Sequence, residues 1–129
     1  MAGSPKQFLV PDAVAPPVSN GYSHAAVAGG AVYVAGQIGM DPGGEVPDGF
    51  EAQARRAFEN VRAVLAAAGA ELTDIVKVTV FLVERCDLAG YRAVREDYLA
   101  HLPASTLVVV DSLATPELRF EIDAIAVPD

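Results

Sequence analysis

The sequence predicts an α+β fold, in which one mixed β-sheet carries two helices on a single face. Segments of alternating apolar residues predict strands, and two stretches with apolar residues every three or four positions predict helices. Their order is strand, strand, helix, strand, helix, strand, strand. The 129 residues, 52% of them hydrophobic, suffice for one core. We therefore interpret residues 1–129 as a single domain, in which residues 1–19 form a Pro-rich N-terminal segment.

The first two predicted strands lie in YSHAAVAGGAVYVAGQIGMDP. They join at Gly29-Gly30, a dipeptide typical of hairpin turns. The second strand ends at Gly36 and Gln37, before a turn in DPGGEVPDG. The sequence therefore predicts a hairpin that leads into the first helix.

The first helix is predicted from a capping box and an apolar stripe. Asp48 and Glu51 have the spacing of a capping box, and Gly69 is the expected stop. The stripe comprises Phe50, Ala54, Ala57, Phe58, Val61, Val64, Leu65 and Ala68. This face is expected to pack on the sheet.

The next strand, TDIVKVTVFLVE, is predicted to alternate between two faces. One face carries Val76, Val78, Val80 and Leu82, and the other carries Lys77, Thr79 and Phe81. A second helix, opened by Asp87, is predicted to run to about His101. Its apolar positions are Leu88, Tyr91, Val94, Tyr98 and Leu99.

The last two strands are predicted in HLPASTLVVVDS and PELRFEIDAIAV. In the final strand, Leu118, Phe120, Ile122, Ala124 and Ala126 share one face. The opposite face carries Arg119, Glu121 and Asp123. Exposed Phe81 and Ile125 beside these charges suit a subunit interface that contains a polar pocket, so we expect an oligomer with its site between chains.

The composition restricts the partners of the chain. Nine Lys and Arg against seventeen Asp and Glu give a net charge of −8, which disfavours nucleic acid because that binding needs many basic contacts. Cys86 is the only cysteine, and neither His24 nor His101 has Cys or His neighbours at metal-ligand spacing. Prolines interrupt the N-terminal segment, and no apolar run reaches a membrane span. We expect a cytoplasmic protein with no metal, cofactor, nucleic-acid partner or membrane partner.

Glu121 is the best candidate for an acid or base. A carboxylate on a sheet face that a neighbouring subunit covers is partly desolvated, which raises its pKa. The alternative is a carboxylate that faces water or pairs with Arg119. Tyr22 and His24, two residues apart, point to one side of a strand and could supply a stacking ring and a proton carrier, or a packed Tyr and an exposed His.

Three further candidates could bind a substrate. Gly36 and Gln37 could offer backbone N–H groups and an amide to an anion, or could simply form a turn. Arg92 could hold a carboxylate with two hydrogen bonds, or could pair with Glu96 on the helix surface. Neither Ser105 nor its neighbour Thr106 lies in a Gly-x-Ser-x-Gly elbow, so a Ser-His-Asp hydrolase is weakly supported.

Four stretches together resemble the Rid (reactive intermediate deaminase) or YjgF family, whose members are also described as L-PSP endoribonucleases. These stretches are YSHAAVAGGAVYVAGQIGMDP, AFENVRAVLAAAGAELTDIVKVTVFLVERCDLAGYRAV, PASTLVVVDSL and FEIDAIAV. The resemblance spans residues 20–127 in order and spacing. It implies a chorismate-mutase-like homotrimer, with a central β-barrel, helices outside and ligand clefts between subunits. It also implies hydrolysis of enamines and imines to a keto acid and ammonia without a cofactor.

The resemblance also implies roles for single residues. Tyr22 matches the aromatic of the family's first motif, Gly36 and Gln37 match its Gly-Gln pair, and Glu121 matches the carboxylate that helps position the attacking water. The family's Arg that grips the substrate carboxylate follows a Pro-Ala pair, and Ser105 stands in its place here.

Two other positions near Ser105 depart from the family pattern. Leu107 replaces a small polar residue or Cys, and Arg92 occupies a position often held by Asn. Losing a charge-assisted Arg–carboxylate contact costs roughly 2 to 4 kcal/mol of binding, about a hundredfold or more in catalytic efficiency. The cleft is therefore expected to differ from that of the standard deaminases.

Our hypothesis is a small-metabolite enzyme, of the imine or enamine deaminase type or a related hydrolase. Glu121 would be its acid or base, Tyr22 and Gln37 would orient the substrate, and a substrate carboxylate would be absent or held by Arg92. One alternative is a non-catalytic trimer that binds a small ligand or a partner protein. Another is imine tautomerisation or cyclisation in a biosynthetic pathway. Endoribonuclease activity fits poorly with the acidic charge.

Overall fold

The computed structural model describes residues 5–129 and forms a six-stranded sheet with two long helices. The strands are β1 (Gln7–Leu9), β2 (Ala25–Ala28), β3 (Ala31–Ile38), β4 (Ile75–Leu82), β5 (Ala104–Val109) and β6 (Phe120–Ala126). The helices are α1 (Phe50–Ala67) and α2 (Leu88–Tyr98). Short 3-10 turns lie at Val18–Asn20, Leu72–Asp74 and Arg85–Asp87.

The strands follow the order β1-β2-β3-β6-β4-β5 in one sheet. Only β4 and β5 are parallel, because the α2 crossover returns the chain to the same end of the sheet. The ring centroids of Phe58 in α1 and Tyr91 in α2 lie 5.8 and 5.7 Å from that of Phe120 in β6. Both helices therefore cover the same face, and the predicted mixed α+β sheet with one-sided helices is confirmed.

Helix α1 buries the predicted stripe but starts differently from the prediction. Ala54, Val61 and Val64 have no exposed surface, and the helix stops before Gly69, whose φ of +77° needs a residue without a side chain. The prediction of a capping box that begins at Asp48 is wrong. Gly49 occupies the N-cap position without a side-chain hydrogen bond, and Asp48 lies exposed in the loop before it.

Three other differences from the prediction concern the edges of elements. Strand β1 lies within the Pro-rich segment, where no strand was predicted; residues 1–4 of that segment lie outside the described residues. Val76 is 48% exposed rather than on the buried face, because a register shift against β6 between Ile75 and Lys77 turns Ile75 inward instead. Helix α2 ends at Tyr98, before His101.

The sheet face that lies away from the helices carries the polar residues of β6. Glu121, Asp123 and Ile125 are each partly buried there, between buried neighbours that face the helices. Phe81 of β4, which pairs with Glu121, is also partly buried. Tyr33 on β3, which pairs with Ile125, lies on the same face and is 47% exposed. This face therefore combines apolar area with carboxylates.

A partly buried ion pair connects the start of α2 to the start of β6. Arg119 donates from Nη2 to Oδ1 of Asp87 at 2.7 Å and from Nε to Oδ2 at 3.2 Å. Its guanidinium also lies 5.8 Å from the ring centroid of Phe50. Asp87 stands at the N-cap position of α2, as predicted, but its side chain forms no cap hydrogen bond.

Replacing Asp87 with Ala is expected to lower the free energy of unfolding by about 1–3 kcal/mol, because it leaves the Arg119 guanidinium without its partner. A fully buried pair would lose more, but the Arg119 side chain is 38% exposed and can turn toward water. Asp97→Ala, which breaks an exposed pair with Arg55, is the control and should cost less than about 1 kcal/mol. Chemical denaturation measures both, and equal losses would contradict the prediction.

Candidate functional site

Glu121 and Gly36 meet at an irregularity between β3 and β6. The register of the two strands shifts between Val34 and Gln37, so Gly36 lies in a bulge beside Glu121. A Cβ atom at position 36 would overlap with Oε2 of Glu121 and would lie 2.9 Å from its Cδ. The missing side chain of Gly36 therefore makes room for this carboxylate.

The surroundings of Glu121 favour its protonated form. Burial raises the pKa of this carboxyl above its usual range, and the nearby negative charge of Asp123 raises it further. Within residues 5–129, no Lys, Arg or His lies within ion-pair distance of Glu121. The alternative of a pair with Arg119 is wrong, since Arg119 binds Asp87. A raised pKa brings a carboxyl closer to neutral pH, which favours its use as an acid or base.

The side chain of Gln37 holds a buried network together. Its Nε2 donates to Nδ1 of His24 at 3.1 Å and to the Ala35 carbonyl at 3.1 Å. An amide NH₂ can only donate, so Nδ1 of His24 accepts, and Nε2 of His24 donates to the Ala15 carbonyl at 2.7 Å. His24 is 5% exposed, so the alternative of an exposed His is wrong, and both of its ring nitrogens form hydrogen bonds.

Tyr22 lies at the mouth of a small cavity beside this network. The cavity has a volume of about 20 Å³, room for one water molecule, and Gly36 and Gln37 also line it. The Tyr22 ring meets His24 edge-on at 6.2 Å, and its hydroxyl accepts from the Val18 N–H at 3.3 Å. Because 45% of Tyr22 is exposed, its ring remains available to stack on a ligand.

Ser105 and Leu107 lie in a second region, at the edge strand β5. They pair with Val78 and Val80 of β4, which face the helices, and Leu107 packs against the core. Ser105 lines a cavity of about 60 Å³ together with Tyr91 and other residues of α2 and the following loop. Within one chain, Ser105 therefore faces α2 rather than Glu121.

Two residues of this second cavity were not found by sequence reasoning. Tyr91 is 1% exposed and its hydroxyl has no hydrogen-bond partner among the described residues. Arg95 lies one helical turn later, with Cζ 5.8 Å from the centroid of the Tyr91 ring. The i, i+4 spacing in YRAVR was the available signal, because it places both side chains on one face of α2.

Arg92 lies exposed on α2, outside both cavities. It forms no ion pair with Glu96, or with any other carboxylate in the described part of the chain. Arg92 is therefore a surface residue of the helix, as in the alternative interpretation, but the expected pair with Glu96 does not form. The guanidinium of Arg92 is free to bind a ligand or another subunit.

The candidate residues thus form two separate groups on one chain. Tyr22, Gly36, Gln37 and Glu121 adjoin one another around β3 and the start of β6. Ser105 and Leu107 lie on the far side of β4, with Tyr91 and Arg95. Apposition of two copies is one way to bring both groups to a single ligand.

Two further features bear on the class of site. In residues 5–129, no three His, Cys, Asp or Glu side chains are grouped so that they could hold a metal ion. Neither helix of this part of the chain has the length and apolar character that crossing a membrane requires. Together, the two groups of candidate residues offer carboxyl, hydroxyl, amide and guanidinium side chains.

The sheet order, the one-sided helices and the carboxylate beside the Gly36 bulge define an α+β protein of the YjgF type. The family model described as Endoribonuclease L-PSP matches residues 12–128. The rat 2-iminobutanoate/2-iminopropanoate deaminase is 39% identical over 116 residues, which cover 88% of this chain and 84% of the rat protein.

Solved structures agree with this assignment. RidA from the Antarctic bacterium Psychrobacter superposes with a TM-score of 0.89 at 36% identity, covering 94% of this chain and 98% of RidA. Escherichia coli TdcF, solved with bound serine, superposes with a TM-score of 0.89 at 30% identity, covering 95% and 99% of the two chains. The chain belongs to the Endoribonuclease L-PSP family, also called the Rid or YjgF family.

The raised pKa of Glu121 predicts how stability depends on pH. Folding favours the protonated carboxyl, so ionisation of Glu121 destabilises the folded chain as the pH rises through the ordinary Glu range to the raised pKa. Glu121→Gln removes this ionisation. The variant should therefore melt at a higher temperature than the wild type at about pH 7, and at the same temperature below about pH 4.

Calorimetry across this pH range measures the effect. Glu117→Gln, an exposed position on the turn before β6, is the control and should melt like the wild type at each pH. A wild type that is more stable than Glu121→Gln at neutral pH would contradict the prediction.

Proposed function

We propose that this protein hydrolyses small imines or enamines to the corresponding carbonyl compound and ammonia, at clefts between the subunits of a homotrimer. The observation that carries the proposal is Glu121, a partly buried carboxyl with a raised pKa and no cationic partner among the described residues. The names of relatives such as the rat deaminase support the same reaction class.

The proposed reaction needs one group that moves a proton twice. Water adds to the C=N carbon while the Glu121 carboxylate takes one proton from it and passes this proton to the imine nitrogen, which gives a carbinolamine. Glu121 then takes the proton of the carbinolamine hydroxyl and passes it to the amine as the C–N bond breaks, so that the carbonyl compound and ammonia leave. An imine and one water thus give one carbonyl and one ammonia, without a redox step.

The other residues of the first group support substrate positioning. The exposed ring of Tyr22 can stack on the planar C=N group, and the backbone at Gly36 approaches closely because no side chain intervenes. Gln37 acts through its network, since its amide donates to His24 and to the Ala35 carbonyl. We infer that Gln37 fixes the Gly36 bulge rather than touching the substrate with its NH₂ group.

The separation of the two residue groups supports a site shared between subunits. In a homotrimer, the Glu121 group of one subunit would face Arg92, Ser105 and Leu107 of the next. The partly exposed apolar residues Tyr33 and Val108 support burial of this surface by another copy. Light scattering should give three times the chain mass of 13.4 kDa, and a monomer would rule out the shared cleft.

The reaction is tested by generating an imine in place with a pyridoxal-phosphate dehydratase and following ammonia release. The purified protein should accelerate the decay of 2-iminobutanoate over the uncatalysed rate. Glu121→Gln is the matched inactive variant. No acceleration with any of several imines, neutral or carboxylated, would overturn the proposal.

Ser105 favours a second candidate function, a trimer that binds a small ligand without turnover. A Ser hydroxyl cannot form the two charge-assisted hydrogen bonds of an Arg, so a family substrate would be held less firmly at this position. Thermal stabilisation by keto acids or amides in the absence of any turnover would support this candidate over the enzyme.

A further inference from the structure

The cavity beside Ser105 contains an unsatisfied buried polar group. Tyr91 is 1% exposed, and its hydroxyl has no hydrogen-bond partner in the described part of the chain. A buried hydroxyl without a partner destabilises a fold, and a Phe would fill the same space without that loss. Ser105 lines the same cavity, and its hydroxyl lies beside that of Tyr91. A bound group that accepts hydrogen bonds from both hydroxyls would satisfy the buried one.

Arg95 adds a positive charge at this place. Its Cζ lies 5.8 Å from the centroid of the Tyr91 ring, and it lines the same cavity. No carboxylate of residues 5–129 lies within ion-pair distance of it, whereas Arg55, Arg62 and Arg119 are all paired. Arg95 is also only partly exposed, so an anion beside it would be shielded from water.

The remaining walls of the cavity are apolar and come from Val78, Leu99, Leu102 and Pro103. The cavity volume of about 60 Å³ leaves room for a small polar group such as a carboxylate. Leu102, with a φ of +57° and 76% exposure, forms the outer wall. An apolar rim suits the short hydrocarbon part of an organic acid.

We propose that Arg95, Tyr91 and Ser105 form a binding pocket for the carboxylate of a short-chain organic acid. Arg95 supplies the counter-charge, and the two hydroxyls donate hydrogen bonds to the carboxylate oxygens. This pocket adds a carboxylate-binding site to the proposed function. The proposal rests on that function only for the identity of the ligand, a 2-imino or 2-oxo acid. The cation that Ser105 cannot provide then comes from α2.

Titration with 2-oxobutanoate, followed by NMR or calorimetry, tests the pocket, and 2-butanone is the matched probe without a carboxylate. The wild type should bind 2-oxobutanoate at least about tenfold more tightly than 2-butanone, and Arg95→Gln should remove this difference. Arg85→Gln, an exposed Arg in the turn before α2, is the control and should bind like the wild type. Equal binding by Arg95→Gln and the wild type would overturn the proposal, as would a loss caused by Arg92→Gln instead.

Tyr91→Phe separates binding from folding. Removing an unsatisfied hydroxyl should leave the melting temperature of the free protein unchanged or higher, while 2-oxobutanoate binding weakens by about three- to tenfold. A variant that melts higher and binds 2-oxobutanoate as tightly as the wild type would remove Tyr91 from the pocket. The expected melting temperature and affinity both differ from those expected for a Tyr whose only role is to stabilise the fold.

The same titration distinguishes the pocket from the reaction. Glu121→Gln should still bind 2-oxobutanoate through Arg95 although its turnover is lost. If the wild type turns over no imine while its binding still depends on Arg95, the proposed function fails and the pocket stands. If imines are hydrolysed and the affinity for 2-oxobutanoate does not depend on Arg95, the proposal of the pocket fails and the proposed function stands.

Discussion

Glu121→Gln should lower the rate of imine hydrolysis by about 10² to 10⁴-fold, the usual contribution of a general acid or base. The amide has nearly the same size and shape as the carboxyl, so it occupies the space beside Gly36 without a new clash. It cannot take a proton from water at any pH of interest. The loss should therefore appear in kcat, with little change in KM.

Asp123→Asn is the matched control on the same strand and the same sheet face. The charge of Asp123 raises the pKa of Glu121, so its removal should lower that pKa while leaving the base in place. The acidic limb of the pH profile of kcat/KM should move to lower pH, and the maximal rate should stay near that of the wild type. An unchanged profile in Asp123→Asn, or full activity in Glu121→Gln, would remove Glu121 from the mechanism.

Much of the fold could be predicted because it follows from local periodicity. Alternation in FEIDAIA places Ile122 and Ala124 inside and Glu121 outside, and each is found there. A helical stripe and Gly69 likewise define α1 and its end. Val76 is the exception, because its exposure depends on a bulge that arises from pairing with β6. The residues next to Val76 in the sequence do not predict this bulge.

The contacts that shape the candidate site could not be predicted in this way, because they join residues far apart in sequence. The pair of Arg119 with Asp87 spans 32 positions and leaves Glu121 without a cationic partner. The Gln37 network depends on β2 and β3 lying side by side. Likewise, Tyr91 was predicted to be buried from its spacing, but the contact of its hydroxyl with the Ser105 cavity depends on the β4–β5 register.

Gly36→Ala is expected to reduce imine hydrolysis by about a hundredfold while the protein stays folded. The added Cβ would overlap with Oε2 of Glu121, so the flexible Glu side chain must move, and a displacement of about 1 Å of a catalytic group costs on that order. Gly36 has no positive φ, so its backbone does not lie in the left-handed region that favours glycine. The melting temperature should therefore change far less than the activity.

Gly43→Ala is the matched control for this substitution, since its Cβ would lie 3.4 Å from Oδ1 of Asp41, an ordinary contact. It should keep both the activity and the melting temperature. Combining Gly36→Ala with Glu121→Gln provides the decisive comparison, because two changes that act through one carboxyl are not additive. The double variant should be no slower than Glu121→Gln alone. A further hundredfold loss would mean that Gly36 serves the substrate directly, through its backbone, rather than by making room for Glu121.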